Sequence, residues 1–372
     1  MAGGAREAFI RKQRGRSGGF TLAELLVSLF ALVIIVLMVT GLMTGATAII
    51  RTGHKHIDTD TQARVVLDRM ALDFAQTLKR TDVDYFVKGP ANYNSHGHGN
   101  GHAWGRGLGT NQQGSDQIAF FSQVPGYPSA SEPQSPISLV AYRVNQRNAS
   151  NNPSYLTLER MGKGLHWNGL DGNTNVTNQN ARCPILFLPQ TIDAVTPWYA
   201  AVNNGNSCAG NNNNCDPDYE TIGPGVFRFE YYYLLKNGRV TDIPWNRDVW
   251  GVTRQSLTSP TNIGLSEVEA IAVAIAVIDP AGRALINAAS PNSLLDLVSD
   301  MADFITAPGR GVGGAHRIGD MEDYWKGVLF GDASQGLPGV VNTGQTSSGS
   351  PVPPEAVKAI RIYTRYFDFK TL

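Results

Sequence analysis

The chain has 372 residues, enough for one large domain or two. Its 31 basic and 31 acidic side chains cancel, which excludes the global basic field by which many proteins bind nucleic acid. Only 17% of the residues are charged, while 40 are glycine and 20 are proline, so the composition favours a loop-rich extracytoplasmic domain over a helical enzyme.

The first predicted element is a basic stretch followed by a long apolar run. Residues 1–19 carry five arginine and lysine side chains against a single acid, and residues 25–50 carry no formal charge. About 20 apolar helical residues span a bilayer, so the run is long enough to cross a membrane with some tilt. Because basic flanks stay on the cytoplasmic side, we expect the rest of the chain to face outwards.

Two ordinary interpretations of this run leave features unexplained. A cleaved secretory signal would use Ala46-Thr47-Ala48 as its cleavage site, but its apolar region is normally only about 7–15 residues long. A plain single-span anchor leaves Glu24 unexplained, because a carboxylate in hydrocarbon costs a few kcal/mol and usually has a partner.

The sequence GGFTLAELLVSL, from Gly18 to Leu29, closely resembles the class III signal of type IV pilins and type II secretion pseudopilins. The resemblance implies cleavage by prepilin peptidase between Gly19 and Phe20, with Phe20 becoming the N-methylated mature terminus. It also implies that Glu24 pairs with the terminal amine of a neighbouring subunit during assembly. An opposite charge in a low-dielectric setting would offset much of the cost of burying the acid.

The same resemblance divides the chain into four parts and names its partners. The expected parts are a cytoplasmic leader (1–19), a transmembrane and filament-core helix (20–50), an amphipathic continuation (51–80) and an extracytoplasmic β-rich head (81–372). The implied partners are prepilin peptidase, other pilins or pseudopilins, the inner-membrane assembly platform and the membrane itself.

An apolar stripe predicts that the helix continues to about residue 80. The stripe consists of Ala63, Leu67, Met70, Phe74 and Leu78, which are spaced 4, 3, 4 and 4 residues apart. The charged residues of the segment, Asp73 among them, fall off this stripe. Within the apolar run, Gly41 and Gly45 match the G-x-x-x-G pattern of closely packed helices, although a chance pair of small residues accounts for them equally well.

The rest of the chain predicts strands and loops, hence an α+β fold in which the long helix packs on an antiparallel sheet. A short helix is expected from Ser293 to Phe304, and loops at 88–116, at 163–222 and, as a flexible connection, at 331–354. The predicted strands are 117–124, 138–144, 155–161, 226–235, 269–279 and 359–369.

The last predicted strand carries a second, softer resemblance. VKAIRIYTRYF, from Val357 to Phe367, is similar to the closing strand of minor pilins of the PilW type and of J-class minor pseudopilins. Length and Asn/Gly-rich insertions also resemble a prepilin-type group known as Verru_Chthon cassette protein C. This similarity favours a minor subunit over a major one.

Three groups of polar residues are candidate ligand or cross-link sites. Cys208 and Cys215 enclose six residues and favour a disulfide outside the cytoplasm, although Cys183 could pair with either. Asp216, Asp218 and Glu220 place carboxylate oxygens at alternate positions, and calcium prefers such oxygen ligands. A solvated acidic loop is the more ordinary interpretation of these three residues. The histidines have metal-chelating spacings but lie in a Gly-rich setting that favours a plain loop: His96, His98 and His102, with His54 and His56 elsewhere.

No local motif indicates catalysis. Gly309-Arg-Gly311-Val-Gly-Gly314 matches G-x-G-x-x-G formally, but a dinucleotide site needs a strand before it, and a predicted helix and Pro308 precede it here. The aromatic residues of 229–233, with Trp245 and Trp250, fit an adhesive surface less well than cross-strand packing. The sequence therefore predicts a non-enzymatic minor pilin or pseudopilin without a cofactor; the alternatives are a tethered binding protein or adhesin and, less favoured, an anchored hydrolase.

Overall fold

A computed structural model describes nine parts of the chain. They are residues 21–78, 115–127, 134–145, 154–164, 218–236, 238, 240–241, 268–301 and 318–368. The chain divides into two compact units, Met1–His54 and Lys55–Leu372.

Helix α1, Leu22–Ala75, is the longest element and contributes residues to both units. It ends earlier than the apolar stripe predicted, because the chain after it pairs with a strand instead of continuing the helix. Thr77 forms an antiparallel bridge with Ser122, and the amide of Leu78 donates to the carbonyl of Phe121 at 2.9 Å. The last residue of the stripe therefore lies in extended backbone.

The first sheet is antiparallel, with strands in chain order: β1 (Gln117–Ser122), β2 (Ser138–Val144), β3 (Leu158–Gly164) and β4 (Tyr219–Gly223). β3 begins three residues later than predicted because 154–157 forms a turn in which Leu156 has a φ of 53°. β3 ends at Gly164 and β4 begins at Tyr219, so the loop predicted over 163–222 was wrong at both of its ends. A five-residue strand with Glu and Gly among its members has too short an apolar pattern to be recognised alone.

The second sheet is also antiparallel, in the order β6-β5-β7-β8. Its strands are β5 (Val226–Leu235), β6 (Val240–Thr241), β7 (Val268–Val277) and β8 (Arg361–Asp368). The described strands of the head thus form two sheets where the sequence predicted one, and the turn after β4 carries the chain from the first sheet into the second.

Within residues 268–301 and 318–368, five α-helices and one 3₁₀ turn follow β7 in chain order. They are α2 (Pro280–Ala289), α3 (Ser293–Asp300), α4 (Asp320–Phe330), the 3₁₀ turn (Ala333–Gln335), α5 (Val340–Thr343) and α6 (Pro354–Lys358), which with α1 make six α-helices in the described parts. α3 begins where the sequence predicted a helix and ends four residues earlier. α2 and α4 were not predicted.

The segment 331–354, predicted to be a flexible connection, is folded, so that prediction was wrong. Polar side chains hold it against α3: the Ser347 amide donates to Asp300 at 2.8 Å, and the Ser293 hydroxyl donates to the Pro351 carbonyl at 2.7 Å. Gly331 and Gly339 have φ values of 94° and 81°, a region where glycine alone is unstrained. The Gly, Ser and Pro content reflects tight turns and not freedom of the chain.

Within the second unit, the second sheet is covered on both faces. Phe74 of α1 stacks on Phe120 of β1 with ring centroids 4.9 Å apart and lies 5.1 Å from the Phe367 ring of β8. On the opposite face, the Arg228 guanidinium lies 5.0 Å from the centre of the Trp325 ring of α4. The described residues therefore form an α+β fold with an N-terminal apolar helix followed by antiparallel sheets, as the sequence predicted.

Candidate functional site: the apolar half of helix α1

The first half of α1 presents an unbroken apolar surface. The span Leu22–Thr47 has a mean hydropathy of 3.0, and none of it is buried. Its large apolar side chains from Leu22 to Met43 are between 40% and 82% exposed. By length and composition this helix can cross a membrane, although an N-terminal signal sequence passes the same test.

The hydroxyl groups of this span are satisfied inside the helix. Ser28 donates to the Leu25 carbonyl at 2.9 Å, Thr40 to the Val36 carbonyl at 2.9 Å and Thr47 to the Met43 carbonyl at 2.7 Å. Thr44 likewise donates to the carbonyl of Gly41 at 3.2 Å. In hydrocarbon, a polar group without a partner costs several kcal/mol, so these internal bonds suit a lipid environment.

Thr21 and Glu24 form a capping box at the start of α1. The Thr21 amide and hydroxyl both donate to Glu24 Oε2, at 3.0 and 2.9 Å, and the Glu24 amide donates back to Thr21 Oγ1 at 3.3 Å. This reciprocal arrangement satisfies amides that a helix leaves unpaired at its first turn, and the acid also faces the positive end of the helix dipole. Sequence analysis missed this role, although the S/T-x-x-E spacing of Thr21-Leu-Ala-Glu24 carries it.

Oε2 takes both of these hydrogen bonds. Across the described parts of the chain, Glu24 Oε1 accepts none. The carboxylate therefore has one oxygen committed to its own helix and one available to a donor from elsewhere. Gly19 and Phe20, the expected cleavage and methylation positions, lie outside those parts.

Gly41 and Gly45 lie one turn apart on the same helix. A Cβ added at either position would meet no atom within 4 Å. The helix surface is therefore open at both glycines, and the close packing expected of G-x-x-x-G requires a second helix. That packing role stays a prediction.

Other candidate residues lie elsewhere or outside the described ranges. Asp218 is 3.3 Å from the Lys163 amine, and Glu220, on β4, is 3.7 Å from the Arg160 guanidinium. Within the described ranges no three His, Cys, Asp or Glu side chains are grouped to hold a metal ion. Calcium binding stays a prediction, because the ranges omit Asp216; they also omit Cys183, Cys208, Cys215, His96, His98, His102, Trp245, Trp250 and the side chains of His54 and His56.

The aromatic run on β5 is not a binding surface. All of Phe229, Tyr231, Tyr232 and Tyr233 are fully buried. Tyr231 and Tyr233 contact each other edge to face, with ring centroids 5.7 Å apart. These side chains pack the core, as cross-strand aromatic neighbours commonly do.

The structure corrects the predicted position of Asp73. Its side chain is fully buried, and it accepts hydrogen bonds from Arg160 Nε at 2.7 Å, from Arg160 NH2 at 3.1 Å and from the hydroxyl of Tyr142. The sequence spacing does indicate that Asp73 lies on the buried face of α1, because it continues the 4-3-4-3 spacing of the buried positions Thr59, Ala63, Val66 and Met70. The predicted stripe was counted over apolar residues only, so Asp73 was placed off it.

Burial and charge act together on the donors around Asp73. Burial, followed by the negative charge of Asp73, raises the pKa of the Tyr142 hydroxyl well above its usual value. Burial by itself would lower the pKa of Arg160, but the hydrogen bonds and charge of Asp73 outweigh it, so that pKa is raised. Both donors therefore keep their protons throughout the physiological range.

The two sites differ in kind. Residues 21–47 form an open apolar helix with a single acid in its first turn, whereas Asp73, Arg160 and Tyr142 form a closed ionic contact inside the head.

Comparison of the chain with protein-family models, with curated proteins and with solved structures finds no match.

Proposed function

We propose that the protein is a minor pilin or pseudopilin: a structural subunit that is assembled into a type IV pilus or a type II secretion-like filament. In this proposal prepilin peptidase removes residues 1–19, and Phe20 becomes the methylated terminus. The subunit sits in the inner membrane as a single span with its N-terminus in the cytoplasm, and then enters the filament. It has no catalytic role and is a substrate of the peptidase.

The observation that carries the proposal is the combination of exposure and charge on α1. Between Thr21 and Ile50 the only ionisable side chain is Glu24, and the large apolar side chains from Leu22 to Met43 are all exposed. An apolar helix of this length needs lipid or other helices to cover it. A neighbouring subunit would supply both the apolar cover and an amine for the open Glu24 oxygen.

The alternative is a membrane-anchored extracytoplasmic binding protein that never enters a filament. The capping box favours it, because Glu24 has a role within its own helix that requires no neighbour. Under this alternative residues 22–47 are only an anchor, and the charge of Glu24 contributes nothing beyond the cap.

The first test determines the N-terminus of the protein isolated from native membranes, by mass spectrometry. The proposal expects a chain beginning at N-methylated Phe20. A chain beginning at Met1 would leave an ordinary anchor, and one beginning after Ala48 would mean a secreted domain without the apolar helix. Either of the last two outcomes contradicts the proposal.

The second test separates the charge of Glu24 from its capping role. Glu24→Gln keeps a side chain that completes a capping box but removes the charge, whereas Thr21→Ala removes the cap, at a cost of about 1 kcal/mol, and keeps the charge. Each full-length variant is expressed in the native host, and its incorporation into sheared filaments is compared with its amount in membranes.

The filament proposal expects Glu24→Gln to accumulate in membranes and to be lost from filaments, with Thr21→Ala still incorporated. If both variants enter filaments equally, the charge has no assembly role. If Thr21→Ala alone fails, Glu24 acts through the helix cap and not through a neighbouring amine.

A further inference from the structure

We propose that Asp73, with Arg160 and Tyr142, is a register lock: it fixes which turn of α1 docks on the first sheet. This inference does not depend on the proposed function. It concerns the second unit alone, in which the segment 59–77 of α1 packs against the strands.

Apart from the Phe74 ring, the apolar contacts of this segment do not by themselves specify one register. The buried positions are 59, 63, 66, 67, 70, 73, 74 and 77. Phe74, stacked on Phe120, is the one large ring among them, and the other apolar side chains are smaller or flexible. At the buried positions other than 73 and 74, a slide of the helix by one turn, about 5.4 Å, would place aliphatic or threonine side chains over the same strand surface. In coiled coils, which also pack by regular apolar stripes, a single polar position can specify the alignment.

The donors on the sheet form a fixed pair that only one helix position can match. Tyr142 on β2 and Arg160 on β3 lie directly opposite each other in the antiparallel ladder, so both side chains project from the same face. Both are nearly fully buried, and Asp73 is the one acid of the 59–77 segment that is buried. A one-turn slide would bring Met70 or Thr77 to the donors.

Two outer side-chain contacts between α1 and β8 are weaker determinants. Asp68 meets Arg365, and Asp60 accepts from the Tyr363 hydroxyl, but these side chains stand partly in solvent. Exposed ion pairs contribute little. A slide would separate the buried Asp73 and Arg160, leaving Asp73 with only the more distant Arg69 at 3.6 Å and Arg160 with only Glu220 at 3.7 Å, which is unfavourable. Replacing both members of a buried ion pair by apolar residues of similar volume, by contrast, often leaves the free energy of unfolding unchanged. Such a pair can therefore select one register of the helix without adding to stability.

The test reads the register by zero-length cross-linking of the full-length chain in detergent. In an Arg365→Lys background, a carbodiimide joins residue 365 to the native Asp68 carboxylate only when α1 is in its observed register. Companion chains carry Asp68→Asn with either Arg64→Asp or Leu72→Asp, which place the carboxylate one turn to either side. Peptide mass spectrometry then gives the ratio of native to shifted linkage.

The lock is removed by Asp73→Leu with Arg160→Met. The matched control is Arg143→Met with Glu159→Leu, because that buried pair, 3.2 Å apart, lies within the first sheet and does not involve α1. We expect the ratio of native to shifted linkage to fall by about tenfold or more in the first double variant and to stay unchanged in the control, while both melt cooperatively.

Three results would overturn the inference. An unchanged linkage ratio after removal of Asp73 and Arg160 means that other contacts set the register. An equal fall in the control means that any loss of buried charge loosens α1. Failure of the first double variant to fold means that the pair stabilises the head and does not select among registers.

Discussion

Gly225 lies where three elements of the head meet, and adding one methyl group there should destabilise the fold. It forms the turn between β4 and β5. Its amide donates to Gln62 Oε1 of α1 at 2.8 Å, and its carbonyl accepts from the Ile278 amide at 2.9 Å. A Cβ at this position would lie 2.5 Å from Gln62 Oε1 and 2.5 Å from the Ile278 carbonyl oxygen.

These two contacts differ in how they can be relieved. The Gln62 side chain can rotate away, at the cost of its hydrogen bond, which is worth about 1 kcal/mol. The Ile278 oxygen belongs to the backbone after β7, so the turn or the strand end must shift, and such overpacking costs about 1–3 kcal/mol. For Gly225→Ala we therefore expect a loss of about 2–4 kcal/mol of unfolding free energy, or about 3–6 °C in melting temperature for a unit of this size.

The assay is thermal unfolding of the full-length chain in detergent, followed by circular dichroism. Gly53→Ala is the matched control, because a Cβ there meets no atom within 4 Å and the position is helical. A Gln62→Ala/Gly225→Ala double variant should remain at least as unstable as Gly225→Ala, since the backbone contact persists. If Gly225→Ala melts within about 1 °C of the parent, or if the double variant recovers to the level of Gln62→Ala, the described contact with Ile278 is wrong.

Two further changes test the folded C-terminal segment and the α1–β8 contact. At Gly339, φ is 81° and an added Cβ would lie only 2.3 Å from the backbone nitrogen of Gly331, whereas at Gly336 φ is 69° and an added Cβ would meet nothing within 4 Å. Gly339→Ala should therefore lower the urea midpoint far more than Gly336→Ala. Equal losses in the two variants would refute the close approach at Gly339. Burial, followed by the hydrogen bond to Asp60, raises the pKa of Tyr363 to about 12, so the folded state keeps a proton that the unfolded state loses near pH 10. Stability should therefore fall as pH rises from about 10 to about 12. When urea midpoints are compared at about pH 8 and about pH 11, this fall should be smaller in Tyr363→Phe than in the parent. Identical falls in parent and variant would contradict a raised pKa of Tyr363.

The apolar elements were predicted well because their pattern is local. The strand β2 has the predicted bounds, and β5 matches its predicted run of aromatic and branched residues. β8 lies within the predicted strand 359–369, with Tyr363 and Arg365 on the face that meets α1. Alternation and helical spacing depend only on neighbouring residues, so sequence carries them directly.

Polar and short elements were predicted poorly because their stability comes from distant residues. β4 exists because β3 pairs with it, and the folded segment after α4 exists because α3 supplies hydrogen-bond acceptors to it. Neither partner is visible in the local pattern. The capping box of Thr21 and Glu24 differs, because both of its residues lie within one short window of sequence. The T-x-x-E spacing alone would have predicted it.

The sequence by itself determined that an apolar helix with one early acid precedes an antiparallel α+β head, because hydropathy and periodicity are properties of short windows. Only the tertiary structure decided that the strands divide between two sheets and that Asp73 is buried. A carboxylate enters a protein interior when donors such as Arg160 and Tyr142 meet it there, and the positions of those donors, 87 and 69 residues away, follow from strand pairing.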